Sequence, residues 1–160
     1  MNDCLRIIAT VRRLCFNLDA SKDYINISDR QDLTPVPAKP GVYWIETTMP
    51  AENLKSAVIE LLGKEKKYPT DKPLLVRQNG NDFYLCYMGT ENSISARLGQ
   101  HLFNTNKGKE RLGCDISKKP FSDYSWRIWY KEIEDTTVRY AVENWWRHNK
   151  EWPPFCVRGS

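Results

Sequence analysis

The chain has 160 residues, 41% of them hydrophobic and 12% aromatic, which is enough for one domain that folds around its own core without covalent staples. With 24 basic residues against 20 acidic ones, the net charge of +4 permits a polyanionic partner but does not demand one. Five cysteines, with no C-x-x-C pair and only two histidines beside them, suggest neither a disulfide framework nor a zinc site and read as free thiols in a reducing compartment. Asp3, Arg6, Arg12 and Arg13 interrupt the N-terminal apolar stretch, and no later run reaches the roughly 18 apolar residues of a spanning helix. The expectation is a cytoplasmic protein without a membrane partner.

Leu5, Ile8, Val11, Leu14 and Cys15 recur at three- and four-residue intervals, which predicts a helix over residues 4 to 16. Residues 17 to 40 are rich in Asp, Ser and Pro, ending in Pro35, Pro37 and Pro40, and read as a loop or a short strand with a boundary near residue 38. Residues 41 to 45 are β-branched and aromatic and predict a strand. Pro50 and Ala51 open a helical pattern through Leu54, Val58, Leu61 and Leu62, closed by Gly63 and the Lys64 to Lys67 charge run. A strand at 74 to 77 and a turn at 79 to 82 would precede a strand at 83 to 88, the two strands forming a hairpin.

Asn92 or Ser93 can cap the next helix, whose apolar positions are Ile94, Leu98 and Leu102, with Arg97 and His101 four apart on an adjacent face. Residues 104 to 120 form a locally basic loop. Residues 124 to 133 alternate as a strand, with Trp126, Ile128 and Tyr130 on one side and a basic, aromatic outward face of Arg127, Trp129 and Lys131. Thr136 or Thr137 starts a last helix through Val138, Val142, Trp145 and Trp146, carrying Glu143, before Pro153 and Pro154.

Gly41-Val42-Tyr43, Tyr87-Met88-Gly89-Thr90, Arg97 ten residues after Tyr87, His101 four after Arg97, and Glu143 on the last helix form one ordered series. That series resembles the active-site spine of the GIY-YIG nucleases, over residues 41 to 156. The resemblance implies an α+β fold with a small, three-stranded, mainly antiparallel sheet flanked by helices. Residues 1 to 38 would be an N-terminal extension of helix and Pro-rich loop. Residues 39 to 160 would be the nuclease-like domain, with an inserted helix at about 47 to 80 between the first two core strands. It also implies a reaction, metal-dependent endonucleolytic hydrolysis of phosphodiester bonds in DNA with Mg2+ or Mn2+, in the cytoplasm, at the nucleoid or in a nucleus.

Such cleavage needs an aligned water, a proton acceptor, positive charge for the phosphoryl group and help for the departing oxygen. By the resemblance, Glu143 would hold the cation, which as magnesium keeps most of its waters and needs only one carboxylate. Arg97 would contact the scissile phosphate through planar, always-charged donors. Tyr43 would be the general base or orient the water, with a phenol lowered from its ordinary value near 10. Tyr87 would line the same pocket. His101 would accept a proton from Tyr43 or hold it by a hydrogen bond. Gly41 and Gly89 would let backbone approach a ligand closely.

Lys107, Lys109 and Arg111 could track a phosphate backbone, as could Arg127 with Lys131 and the Lys64 to Lys67 run; Trp129, Trp145, Trp146 or Trp152 could stack on bases. Cys156 stands where the family commonly carries asparagine, a weakly donating thiol in place of an amide that would orient the phosphate. A duplex cut takes two active sites or one acting twice, so a homodimer or an added specificity partner is expected. Taken singly, each of these residues has an ordinary reading, as a core aromatic, a surface ion pair or a solvated glutamate. Two other functions compete: a nucleic-acid-binding domain that keeps the phosphate pocket without turnover, and an aromatic-rich interaction domain.

Overall fold

The structure, a computed structural model, describes residues 3–20, 22–62, 82–105, 112–150 and 153–156. In chain order these form α1 (Asp3–Ala20), β1 (Ile25–Ile27), β2 (Gly41–Thr47), α2 (Ala51–Leu62), β3 (Tyr84–Glu91), α3 (Ile94–Leu102), β4 (Trp126–Glu132) and α4 (Thr136–Asn149). The strands make one antiparallel sheet in the order β1-β4-β2-β3. No described helix is long and apolar enough to cross a membrane.

The expected α+β class holds, but among the described residues the sheet has four strands rather than three. Ile25 to Ile27 pairs with β4, Ile25 opposite Ile128 and Ile27 opposite Trp126, and so satisfies backbone groups that would otherwise line an open edge. Three residues give too short an alternation to stand out from the polar segment around them. Ile27 is nonetheless buried, and it ties the N-terminal segment into the same core as β2 and β4. The partner strand expected at 74 to 77 lies outside the described residues, as do Gly63 and the lysine run; β3 pairs with β2.

β2 is central, and every one of its residues is buried. Its side chains alternate between two cores. Tyr43 and Ile45 join Leu54 and Val58 of α2 and Ile94, Leu98 and Leu102 of α3. Val42 and Trp44 join Val11 and Cys15 of α1 and Val142 and Trp146 of α4. Helices therefore cover both faces, which is why β2 reads as a continuous apolar run.

That second helical layer corrects the expected outward face of β4. Trp129 is only 2% exposed and stacks on Trp44 with ring centroids 3.7 Å apart, while Trp146 meets both rings edge-on. Arg127 is turned to Glu46, whose buried carboxylate also takes the Trp129 indole N–H at 3.3 Å. A buried carboxylate without these donors would be strongly destabilising. Trp129 and Trp146 are thus core residues, unable to stack on a base.

Two local devices place the helices that carry the expected site. Ser93 precedes α3 but makes no side-chain cap; the Ile94 and Ser95 amides instead donate to the carbonyls of Lys39 and Pro37. The Pro-rich segment thereby docks the start of α3 beside the start of β2. Asp135, one residue before the expected start, caps α4 by accepting from Val138 N–H at 2.9 Å.

Trp44→Ala should lower the unfolding free energy by about 3–5 kcal/mol, and Asp135→Ala by about 1 kcal/mol. Urea unfolding followed by tryptophan fluorescence measures both, and the two variants must rank in that order.

Candidate active site

Tyr43 projects from the middle of β2 toward α3, where its phenol oxygen lies 2.9 Å from His101 Nε2. His101 is fully buried, and its other nitrogen, Nδ1, accepts the Leu112 backbone N–H at 2.8 Å. An amide can only donate, so Nδ1 carries a lone pair and the neutral ring carries its proton on Nε2. This network assigns the tautomer. His101 therefore donates to Tyr43. Of the two roles open from the sequence, accepting the Tyr43 proton or holding the phenol by a hydrogen bond, the geometry selects the second.

Tyr87, on the neighbouring strand, stacks near Tyr43 with centroids 6.4 Å apart and packs on the His101 ring at 4.4 Å. Gly89 sits directly opposite Tyr43 in the β2–β3 register. A Cβ there would lie 2.6 Å from the Tyr43 hydroxyl, so glycine makes the room the phenol occupies. At Gly41 a Cβ would lie 2.3 Å from the Lys131 carbonyl. At both glycines the space that a Cβ would fill is taken by the protein itself.

Arg97, one turn before His101 on α3, directs its Nε and one terminal nitrogen to Glu91 Oε2, with the Nε contact at 2.7 Å. Glu91 ends β3, and its second oxygen accepts the Asn92 N–H at 2.9 Å. Arg139 of α4, 3% exposed, reaches across to the Glu91 carbonyl and the Asn92 side chain. Glu143, one turn further along α4, pairs with Arg147 at 2.5 Å, and Arg147 also donates to the Met88 carbonyl at 2.9 Å. The Cys156 thiol donates to that same carbonyl at 3.1 Å and accepts the Met88 N–H at 3.3 Å. It clasps the C-terminal segment to β3 and is 1% exposed.

Burial pushes the Tyr43 phenol well above its ordinary value of 10.0; Tyr87 adds to the rise and Arg97 opposes it. Tyr87 is raised in the same sense, first by burial, with Arg147 and Arg97 opposing and Glu143 adding. Both phenols thus feel Arg97 and Glu143, which places the five expected residues in one electrostatic neighbourhood. At Glu91 burial acts upward, but the Asn92 N–H and Arg97 outweigh it and hold the carboxyl below its usual value. Burial pushes the Cys156 thiol up to about 11 against the pull of Arg147.

The structure brings together Tyr43, Tyr87, Arg97, His101, Glu143, Gly89 and Cys156. Lys107, Lys109, Arg111 and Trp152 lie outside the described residues. Sequence reasoning missed Glu91, Leu112, Arg139 and Arg147. Arg139 and Arg147 left a trace, each four residues from Glu143, and Arg147 is the one that pairs with it. No family model matches the chain, and neither a curated protein nor a solved structure matches it.

Stability should fall as pH rises past about 9. The unfolded chain releases thiol and phenol protons near 9.0 and 10.0, whereas the folded chain, with Cys86, Cys156, Tyr43 and Tyr87 all raised, keeps them. The folded state then binds more protons, so stability is full below 9 and is lost above it. Thermal melts from pH 7 to 11 read this as a falling midpoint.

Proposed function

We propose that the chain is a metal-dependent endonuclease that hydrolyses phosphodiester bonds in DNA. The observation that carries this reading is the Tyr43–His101 hydrogen bond beside Tyr87, within the fields of Arg97 and Glu143. It agrees with the resemblance of the same residues to the GIY-YIG nucleases.

Among the described residues no three of His, Cys, Asp and Glu stand together as a cage. Glu143, 12% exposed, is a single hard carboxylate, and such a donor fits magnesium or manganese that keeps most of its own waters. When bound, that cation would supply Lewis-acid charge at the phosphoryl oxygen and at water.

The chain's own residues divide the remaining work. Arg97 is held by Glu91 through one edge of its guanidinium, so its other donors can meet the phosphate. Tyr43 receives its hydrogen bond from His101 and keeps its own O–H for orienting the attacking water. His101 donates to the phenol oxygen while that oxygen keeps its own proton, so Tyr43 orients the water and does not take its proton. Burial opposes phenolate formation, so Tyr43 stays a phenol, the water's proton passes to a substrate phosphate oxygen or to solvent, and Arg97 lowers the energy of the charge that develops on the phosphoryl group.

A second reading, a nucleic-acid-binding domain without turnover, is favoured by one observation: the Glu143 carboxylate is engaged by Arg147. Cleavage of supercoiled and linear DNA with Mg2+ or Mn2+ separates the two. The wild type should cut, and Glu143→Ala and Tyr43→Phe should lose about 10²-fold or more in rate while keeping salt-sensitive DNA binding. Binding without cutting in either metal would establish the second reading, and cutting that survives Glu143→Ala would remove the assigned ligand.

A further inference from the structure

We infer that Arg147 is a positioning residue that holds the Glu143 carboxylate until substrate arrives, so that this site takes up its divalent cation together with a phosphodiester rather than before it. The inference rests on the nuclease reading and adds to it an order of binding.

The geometry is that of a built contact. Arg147 lies one turn after Glu143 on α4, with the two side chains 16% and 12% exposed and 2.5 Å apart. An exposed pair at this spacing would flicker in water and contribute little. Here the same terminal nitrogen also donates to the Met88 carbonyl on β3, which anchors the guanidinium from the strand side. The Cys156 thiol closes on that carbonyl too, so strand, helix and C-terminal segment converge behind Arg147.

A cation approaching Glu143 meets the Arg147 guanidinium at Oε1. Arg97 holds Glu91 and Arg147 holds Glu143, so each carboxylate already faces a guanidinium. Adding a doubly charged ion beside Arg147 is unfavourable at a carboxylate only 12% exposed. A phosphodiester changes the balance: its anionic oxygens offer Arg147 a partner that matches the guanidinium fork, and they offset the charge of the ion left on Glu143. Arg147 then passes from carboxylate to phosphate, or shares the two. Metal and DNA therefore strengthen each other's binding by the same factor.

The test is Mn2+ binding, read by the electron paramagnetic resonance of unbound Mn2+, with and without duplex DNA. The Tyr43→Phe background keeps the DNA uncut. Without DNA, adding Arg147→Gln should tighten Mn2+ binding about tenfold by removing a competing positive charge, whereas Arg147→Lys, which keeps the charge, should leave it near the starting value. Duplex DNA should tighten Mn2+ binding about tenfold in the background protein and far less in Arg147→Gln. Equal Mn2+ affinity in the background protein and Arg147→Gln, with Mn2+ binding lost in Glu143→Gln, overturns this inference and leaves the nuclease reading standing. Unchanged Mn2+ binding in Glu143→Gln overturns both.

Glutamine keeps a donor for the Met88 carbonyl. Should that variant still fail to fold, the Arg147 Nε–H resonance of the background protein decides. It should stay in place under Mg2+ alone and move when Mg2+ and duplex are both present. Movement under Mg2+ alone overturns the inference.

Discussion

The hydrogen bond from His101 to Tyr43 is the constraint around which the candidate site is arranged. It joins the central strand to α3, with Tyr43 2% and His101 0% exposed, so each of these buried polar groups needs a partner. The Leu112 amide completes the chain by taking His101 Nδ1, which fixes the proton on the far nitrogen and makes His101 a donor. Tyr43 can reach this position because Gly89 opposite it has no side chain. Histidine and glycine are here two halves of one fit: one supplies the proton, the other the space.

Around that bond, charge is organised in pairs that tie elements together. Glu91 and Arg97 link the end of β3 to α3, Arg139 carries the link to α4, and Glu143 with Arg147 brings α4 back to Met88 of β3. Each carboxylate near the phenols is thus matched before any ligand binds. Such a site has its donors oriented in advance, which is the condition under which electrostatic stabilisation of a transition state is effective.

Much of this was legible from the residues. The β-branched, aromatic run at 41 to 45 announced β2, the four-residue spacing of Ile94, Leu98 and Leu102 announced α3, and the pattern through Val138, Val142 and Trp146 announced α4. The five candidate site residues could be named because their order and spacing form one series. Local pattern could not reveal which face of β4 is covered: Trp129 alternates as an outward residue would, and only the packing of α1 and α4 buries it. The reading of residues 17 to 40 as a loop or a short strand left β1 unplaced, because its three residues acquire meaning from β4 beside them. Glu91, Arg139 and Leu112 were missed for the same reason, since each acts through a partner on another element. The His101 tautomer depends on an amide eleven residues away, brought back by the chain's return to the core.

The central claim is that His101 donates to Tyr43 from Nε2, and nitrogen-15 NMR of the imidazole tests it most directly. Long-range proton–nitrogen correlation spectra of labelled protein, with a His148→Gln variant to assign the two histidines, distinguish a protonated ring nitrogen from an unprotonated one. The account predicts a proton on Nε2 and a lone pair on Nδ1. A proton on Nδ1 would mean that Leu112 does not donate there and that His101 can take the Tyr43 proton itself, which would contradict the arrangement on which the site is built.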